Sequence, residues 1–169
     1  FGSDDGYMWE TDGKESNTLL FKKIRPDPFY FSYYSDIFNY NDNLVSANII
    51  LNDTMYFAAA DELHGSELWK TDGTPNGTVL VKDINNGTGN SQLGSFVKVG
   101  NVFYFLANDG VHGRELWKSD GTENGTQLIK DITPGSASSE IVSLTTYHNK
   151  LIFSLHTYPY NFFKFCLCS

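Results

Sequence analysis

The chain has 169 residues, with 20 acidic and 12 basic side chains and a net charge of −8. This acidity argues against nucleic acid or an anionic membrane surface as a partner, because both would repel the chain. The length suits one ordinary domain, and no apolar run is long enough to span a bilayer. Fifteen glycines, with many Asn, Asp, Ser and Thr residues, predict many turns and therefore many short strands.

The first predicted element is a strand that carries Trp9. Residues 8–13 read Met-Trp-Glu-Thr-Asp-Gly, and a close copy, Leu-Trp-Lys-Thr-Asp-Gly, returns at 68–73. Between the two copies, residues 29–40 are rich in Tyr and Phe and have no counterpart later in the chain. We interpret residues 29–40 as an aromatic insert in an early copy of a repeat.

Four strands are predicted in the next part of the chain, at 54–59, 66–71, 78–84 and 95–99. The first is rich in aromatic residues, the second and fourth alternate polar and apolar residues, and the third is β-branched and apolar. Residues 72–77 hold two turn signals and a proline, and residues 100–101 read Gly-Asn, a two-residue hairpin turn. Each repeat is therefore predicted to hold four short antiparallel strands.

The repeat has a period of 48 residues, the spacing from Trp69 to Trp117 (117 − 69). Residues 67–74 read Glu-Leu-Trp-Lys-Thr-Asp-Gly-Thr, and residues 115–122 match them except for one Thr-to-Ser change. Roughly half of the positions are identical over the whole period, which indicates a tandem array. A fourth copy begins at 151–154 and is then lost, and one period after Trp117 stands Phe165.

This pattern predicts an all-β fold of tandem four-stranded antiparallel units that form a β-propeller or a partial propeller. We expect three units, at about 1–55, 56–103 and 104–155, and a divergent tail at 156–169. One such sheet cannot bury both of its faces, so each Trp and its Leu are expected to pack between neighbouring sheets. A β-sandwich is the alternative fold, but it does not explain the repeat.

The strings at 67–74 and 115–122 resemble the repeats of the ELWxxDGT family, and the resemblance covers residues 1–155. It implies a propeller-like β array in an interaction role, in a protein that is secreted or lies at the cell surface. It implies no catalytic residues. The chain departs from the family pattern at Met8 and Lys14, in the insert and in the tail.

Polar residues recur together with the tryptophans, and we interpret them as structural. His64 and Glu67 each return 48 residues later, whereas a catalytic site is usually assembled once in a chain. The aspartates of the Asp-Gly turns are expected to accept hydrogen bonds from backbone N–H groups. The residues assigned to the repeat framework are Trp9, Trp69, Trp117, Asp12, Asp72, Asp120, Gly73, Gly121, Glu67 and Glu115.

The aromatic insert is the candidate ligand-binding segment, because tyrosines in a loop can stack on sugars or anchor a partner. The alternative is that the insert shields an exposed sheet edge. Its candidate residues are Tyr30, Tyr33, Tyr34 and Tyr40.

The sequence predicts no cofactor, and calcium is the one ion that we consider. Asp-rich turns at 4–6 and 109–110 offer oxygen ligands for Ca²⁺, but the acidic spacing of an EF-hand loop is absent and solvated turns are the alternative. Four Asn-X-Thr sequons are candidates for glycosylation in a secretory protein. They begin at Asn52, Asn76, Asn86 and Asn124.

From these observations we expect a non-catalytic interaction module, extracellular or at the cell surface, that binds a protein or a glycan through loops of the array. One alternative is a fragment of a propeller-fold hydrolase or lyase that acts on polysaccharide. Another is a truncated gene product without an independent function, since a closed propeller usually has more units. Open ends of such an array would pack against further repeat units of a longer chain or lead to self-association.

Overall fold

The computed structural model describes residues 8–26, 48–157 and 162–168, and this part of the chain is built from antiparallel β-sheets. A single turn of 3₁₀ helix spans Glu15–Asn17. The predicted all-β, antiparallel character is therefore confirmed. Among the residues described, no helix has the length and apolarity needed to cross a bilayer.

The sheets follow one another along the chain, and we number them as units 1 to 4. Unit 1 consists of β1 (Met8–Glu10) and β2 (Leu19–Lys22). Unit 2 consists of β3 (Arg25–Pro26), β4 (Asn48–Leu51), β5 (Thr54–Asp61), β6 (Gly65–Thr71) and β7 (Val79–Lys82). Unit 3 consists of β8 (Gly94–Val99), β9 (Val102–Asn108), β10 (Arg114–Ser119) and β11 (Gln127–Lys130). Unit 4 consists of β12 (Ile141–Tyr147), β13 (Lys150–Thr157) and β14 (Phe162–Cys168).

The four strands predicted from the sequence correspond to β5, β6, β7 and β8, but they do not form one sheet. β8 pairs with β9 across the Gly-Asn turn at 100–101, and β4 takes the corresponding place beside β5. A hydrogen-bonded sheet therefore combines the last strand of one sequence period with the first three strands of the next. The boundary between units 2 and 3 lies between β7 and β8, upstream of the boundary near 103 drawn from the sequence.

The first strand of unit 2 is interrupted. β3 and β4 lie along the same edge of β5, where Pro26 pairs with Ala59 and Asn48 pairs with Phe57. The predicted aromatic insert at 29–40 falls between these two strands. It lies outside the described residues, together with Tyr30, Tyr33, Tyr34 and Tyr40.

Units 1, 2 and 3 share the same pairing around their tryptophans. In each, the Trp pairs with a Leu on the following strand, and the register shifts by a bulge between the Trp and the residue before it. The three pairs are Trp9–Leu20, Trp69–Leu80 and Trp117–Leu128. The segment around Trp9 is therefore a copy of the repeat in its backbone as well as in its sequence.

Unit 2 buries its two faces against different neighbours, because successive side chains of a strand point to opposite sides. Phe57 and Trp69 pack with Ile24 on the side of unit 1. Tyr56 and Leu68 pack on the opposite side, against unit 3. We call the first side the tryptophan face and the second side the leucine face.

Unit 3 repeats this arrangement. Its tryptophan face carries Trp117, which belongs to the same core cluster as Leu68 of unit 2. Its leucine face carries Leu106 and Leu116, which pack with Leu151 of unit 4. Each junction in the described chain therefore joins the leucine face of one unit to the tryptophan face of the next.

Unit 4 shows that part of the expected divergent tail is a strand, because β14 pairs along its length with β13. The register differs from that of unit 3. Trp117 pairs with Phe105, and the residue that pairs with the equivalent Phe153 is Cys166. The connection between these paired positions is one residue longer in unit 4, so Phe165 takes the register position of Leu116 and not that of Trp117.

Candidate functional site

The Asp-Gly turn after β6 is held together by its own side chains. Asp72 Oδ1 accepts hydrogen bonds from the Thr74 N–H at 2.9 Å and from the Thr74 hydroxyl at 2.7 Å. Thr74 Oγ1 accepts from the Gly77 N–H at 2.9 Å, and the Thr78 hydroxyl donates to the Thr74 carbonyl at 2.7 Å. The Thr74 hydroxyl bond, followed by the backbone bond, lowers the pKa of Asp72. The carboxylate is therefore committed to the turn.

The same turn recurs in unit 3. Asp120 Oδ1 accepts from the N–H and the hydroxyl of Thr122 at 2.9 and 2.7 Å, and these bonds lower the pKa of Asp120. In unit 1, Asp12 Oδ1 accepts from the N–H of Lys14 at 3.0 Å. Because Lys14 has no hydroxyl, the second oxygen of Asp12 accepts instead from the Asn17 amide at 2.7 Å. All three aspartates thus cap turns, as the sequence predicts.

Two glutamates of the repeat framework are fully buried. Glu67 is 0% exposed and accepts from the backbone N–H groups of Ile84 at 2.7 Å and Asn85 at 3.3 Å. Glu115, also 0% exposed, accepts from the Ile132 N–H at 3.2 Å and from the hydroxyl of Ser139 at 2.7 Å. Each carboxylate therefore connects its own strand to the segment that follows the last strand of the sheet.

Burial raises the pKa of Glu67 to about 7, against the hydrogen bonds from Ile84, Ser91 and Asn85 that lower it. A pKa near neutrality is what a general acid or base needs. Such a group must also reach its substrate, and a side chain without exposed surface does not. We therefore assign Glu67 to the framework and not to chemistry.

Two histidine loops join β5 to β6 and β9 to β10. Asp61 Oδ1 accepts from the N–H groups of Leu63 at 2.9 Å and His64 at 2.8 Å, and Asp61 Oδ2 lies 2.9 Å from His64 Nδ1. The hydrogen bond to Asp61 raises the pKa of His64. This turn directs Leu63 into solvent, where it is 70% exposed.

The second histidine loop has the same geometry. Asp109 Oδ1 accepts from the N–H groups of Val111 at 2.9 Å and His112 at 2.8 Å, and its other oxygen lies 2.7 Å from His112 Nδ1. The hydrogen bond to Asp109 raises the pKa of His112. Val111 is 63% exposed. Neighbouring units thus present an apolar side chain beside an aspartate-bound histidine at equivalent positions.

The strand order places these loops at one end of the sheets. Consecutive antiparallel strands turn at alternate ends, so the two histidine loops share an end, which we call the histidine edge. The Asp-Gly turns and the β4–β5 and β8–β9 turns share the opposite end, which we call the turn edge. Asn52, Asn76 and Asn124 are exposed on the turn edge, and Asn86 is exposed in the connection from β7 to β8.

The framework tryptophans differ in burial. Trp69 and Trp117 are 5% and 6% exposed, as expected for side chains between sheets, whereas Trp9 is 61% exposed. The expectation that each Trp packs between units therefore fails for Trp9. Its equivalents pack on the leucine face of a preceding unit, and no described unit precedes unit 1.

The geometry of the described residues does not support the calcium interpretation. The turn at 4–6 lies outside the described residues, and the carboxylate of Asp109 is taken up by His112 and by backbone N–H groups. Across the described ranges, no three His, Cys, Asp or Glu side chains lie together in a way that could hold a metal ion.

Sequence reasoning missed the apolar tips of the histidine loops. Leu63 and Val111 each stand two residues after an aspartate and directly before a His-Gly pair, 48 residues apart. An apolar residue in an otherwise polar turn, repeated in two units, is a signal that could have been noticed. The structure adds that the side chains are exposed, which the sequence pattern alone does not show.

Comparison of the chain with protein-family models, with curated proteins and with solved structures gives no match. The fold and the site described above therefore rest on this chain alone.

Proposed function

We propose that this chain is a non-catalytic interaction module of a secreted or cell-surface protein, built as a propeller-like array of ELWxxDGT-type units. It binds a protein or a glycan through the histidine edge. The observation that carries the proposal is the repeated histidine loop, with an exposed Leu or Val beside a histidine held by an aspartate. Exposed apolar side chains on rigid loops are typical of binding surfaces.

Blade-like stacking supports the propeller part of the proposal. The first strands of successive units contact one another, β4 with β8 and β8 with β12, as the innermost strands of propeller blades do. The alternation of leucine and tryptophan faces gives every sheet a neighbour on each buried side, as blades require.

The commitment of the recurring acids to structure supports a non-catalytic role. Asp72 and Asp120 accept bonds within their turns, and Glu67 and Glu115 are buried against backbone N–H groups. Three of the four sequons lie on the turn edge, so glycans attached there would leave the histidine edge open.

A glycan array and a matched array of extracellular proteins test the proposal with the unglycosylated chain. The double variant Leu63→Asp, Val111→Asp should reduce binding to a recognised ligand at least about tenfold, because it charges both apolar tips. The matched control is Asn76→Asp, Asn124→Asp, which adds the same charge on the turn edge and should leave binding unchanged.

Absence of binding on both arrays would contradict the proposal, and so would binding that the histidine-edge variant does not affect. A hydrolysis or elimination assay on the same polysaccharides separates the enzyme alternative. Turnover that persists through purification of the chain would show that it is a hydrolase or lyase and not a non-catalytic interaction module.

A further inference from the structure

The internal junctions of the array all use one pair of surfaces. The leucine face of unit 1, with Met8, packs toward the cluster of Trp69, and the leucine face of unit 2, with Leu68, packs toward Trp117. A lysine adds a polar contact at each of these junctions. Lys22 Nζ donates to the carbonyls of Pro75, at 2.9 Å, and Thr78, and Lys70 Nζ donates to the Gly121 carbonyl at 3.4 Å.

The tryptophan face of unit 1 continues this series without a partner among the described residues. Trp9 and Leu20 occupy the register of Trp69 and Leu80, yet they are 61% and 42% exposed. Exposure of a tryptophan and a leucine side by side on one face indicates a surface that another element covers.

The leucine face of unit 4 is the last face in the described series of units, at the opposite end from the tryptophan face of unit 1. By register, Tyr147 takes the position of Val99, and Ile152 takes the position of Tyr104. Both reference residues pack in the junction between units 3 and 4, whereas Tyr147 is 62% exposed. Tyr147 and Ile152 therefore keep apolar or aromatic character at two junction positions of this face, whereas Thr145 and Ser154 replace Val97 and Leu106.

We propose that two copies of this chain associate head to tail, with the leucine face of unit 4 in one copy packed on the tryptophan face of unit 1 in the other. The inference rests on the stacked array of the proposed function, but not on its ligand. It continues the interface that already joins units 1 to 4 within the chain. Such an interface is heterologous, since each copy contributes a different surface, so it either closes into a ring or extends further.

The test uses two variants that each disable one end. Trp9→Asp charges the tryptophan face of unit 1, and Tyr147→Asp charges the leucine face of unit 4. Because both side chains are more than half exposed, each variant should keep the circular dichroism spectrum and the cooperative melt of the parent chain. Analytical ultracentrifugation should show concentration-dependent association of the parent chain and a monomer for each variant alone.

Mixing the two variants provides the decisive result. Trp9→Asp retains an intact unit 4 face and Tyr147→Asp retains an intact unit 1 face, so an equimolar mixture should form a dimer and nothing larger. The control Leu19→Asp lies beside Leu20 on the opposite face of β2, at a position where unit 3 has Gln127, and it should associate like the parent chain.

Three outcomes would overturn the inference. They are a parent chain that stays monomeric at all concentrations, a Trp9→Asp variant that associates unchanged, and a mixture of variants that remains monomeric. None of them bears on the array experiments above, so failure of head-to-tail association is distinguishable from failure of ligand binding.

Discussion

At the scale of single residues, Glu67 makes the stability of the fold depend on pH. Its carboxyl group is fully buried, and burial raises its pKa from 4.5 to about 7. The folded state therefore holds a proton more tightly than the unfolded state between these two values. As the pH rises through this window the folded state loses stability, at most on the order of 3 kcal/mol from this group.

The variant Glu67→Gln removes this titration, so we expect the free energy of unfolding to change less between about pH 5 and about pH 7 than in the parent chain. Gln leaves one fewer acceptor for the N–H groups of Ile84 and Asn85, which costs about 1 kcal/mol at every pH. Urea unfolding of both chains across this range measures the difference. The raised pKa of His112 contributes equally to both chains and cancels, whereas the variant also removes the small part of the raised pKa of His64 that comes from the charge of Glu67. Parallel stability curves would show that Glu67 does not titrate in this window.

Two glycines of the Asp-Gly turns form a matched pair. Gly73 and Gly121 both have positive φ, +88° and +90°. A Cβ on Gly73 would meet nothing within 4 Å, whereas a Cβ on Gly121 would lie 2.0 Å from the hydroxyl oxygen of Tyr56 in the neighbouring unit. The turn of unit 3 thus approaches unit 2 so closely that a Cβ at position 121 would force the Tyr56 side chain to move.

Gly73→Ala should cost only the strain of an alanine at positive φ, roughly 1 kcal/mol. Gly121→Ala should lower the free energy of unfolding by about 1 to 3 kcal/mol more, because Tyr56 is buried and must move. Denaturant unfolding of the two variants side by side gives the difference directly. Equal losses would mean that the contact between Gly121 and Tyr56 is not tight.

At the scale of strands and sheets, closely related sequence motifs have different energetic roles. β1, β6 and β10 each present a Trp at the same register, but only the second and third of these side chains are covered by another unit. The contribution of a tryptophan here depends on the neighbouring sheet more than on its own strand.

We therefore expect Trp117→Ala to destabilise the chain by about 3 to 5 kcal/mol, since it opens a cavity between units 2 and 3. Trp9→Ala should change stability by no more than about 0.5 kcal/mol at low protein concentration. Chemical unfolding monitored by far-ultraviolet circular dichroism makes the comparison without relying on tryptophan fluorescence. A large loss for Trp9→Ala in the monomer would mean that its face is covered within the chain.

The strands themselves could be predicted from the sequence because local patterns determine them. Alternation, β-branching and turn residues placed β5, β6 and β8 close to their observed ends. The grouping of strands into sheets could not be predicted, because a repeat of fixed period has no intrinsic starting point. The Asp-Gly turn was predicted correctly for Asp72, whose side chain bonds only within its own turn.

At the scale of the whole molecule, the unpredicted features are those that depend on contacts between distant segments. Exposure of Trp9 depends on what lies next to unit 1 in space, and the motif around it closely resembles the buried copies. The place of Phe165 depends on one extra residue in the connection between β13 and β14, which moves the register without changing the apolar character of the strand. Counting by the period of 48 therefore assigns Phe165 to the wrong position.

The interrupted strand of unit 2 has a consequence for how this chain can diversify. Pro26 and Asn48 pair with Ala59 and Phe57, so the two residues that flank 27–47 lie about 7 Å apart along one neighbouring strand. A segment with such closely spaced ends can be lengthened, shortened or exchanged for an unrelated one while β5 keeps its partners on both sides. The array thereby carries a natural grafting point, at which new recognition sequences can be tried without refolding the scaffold.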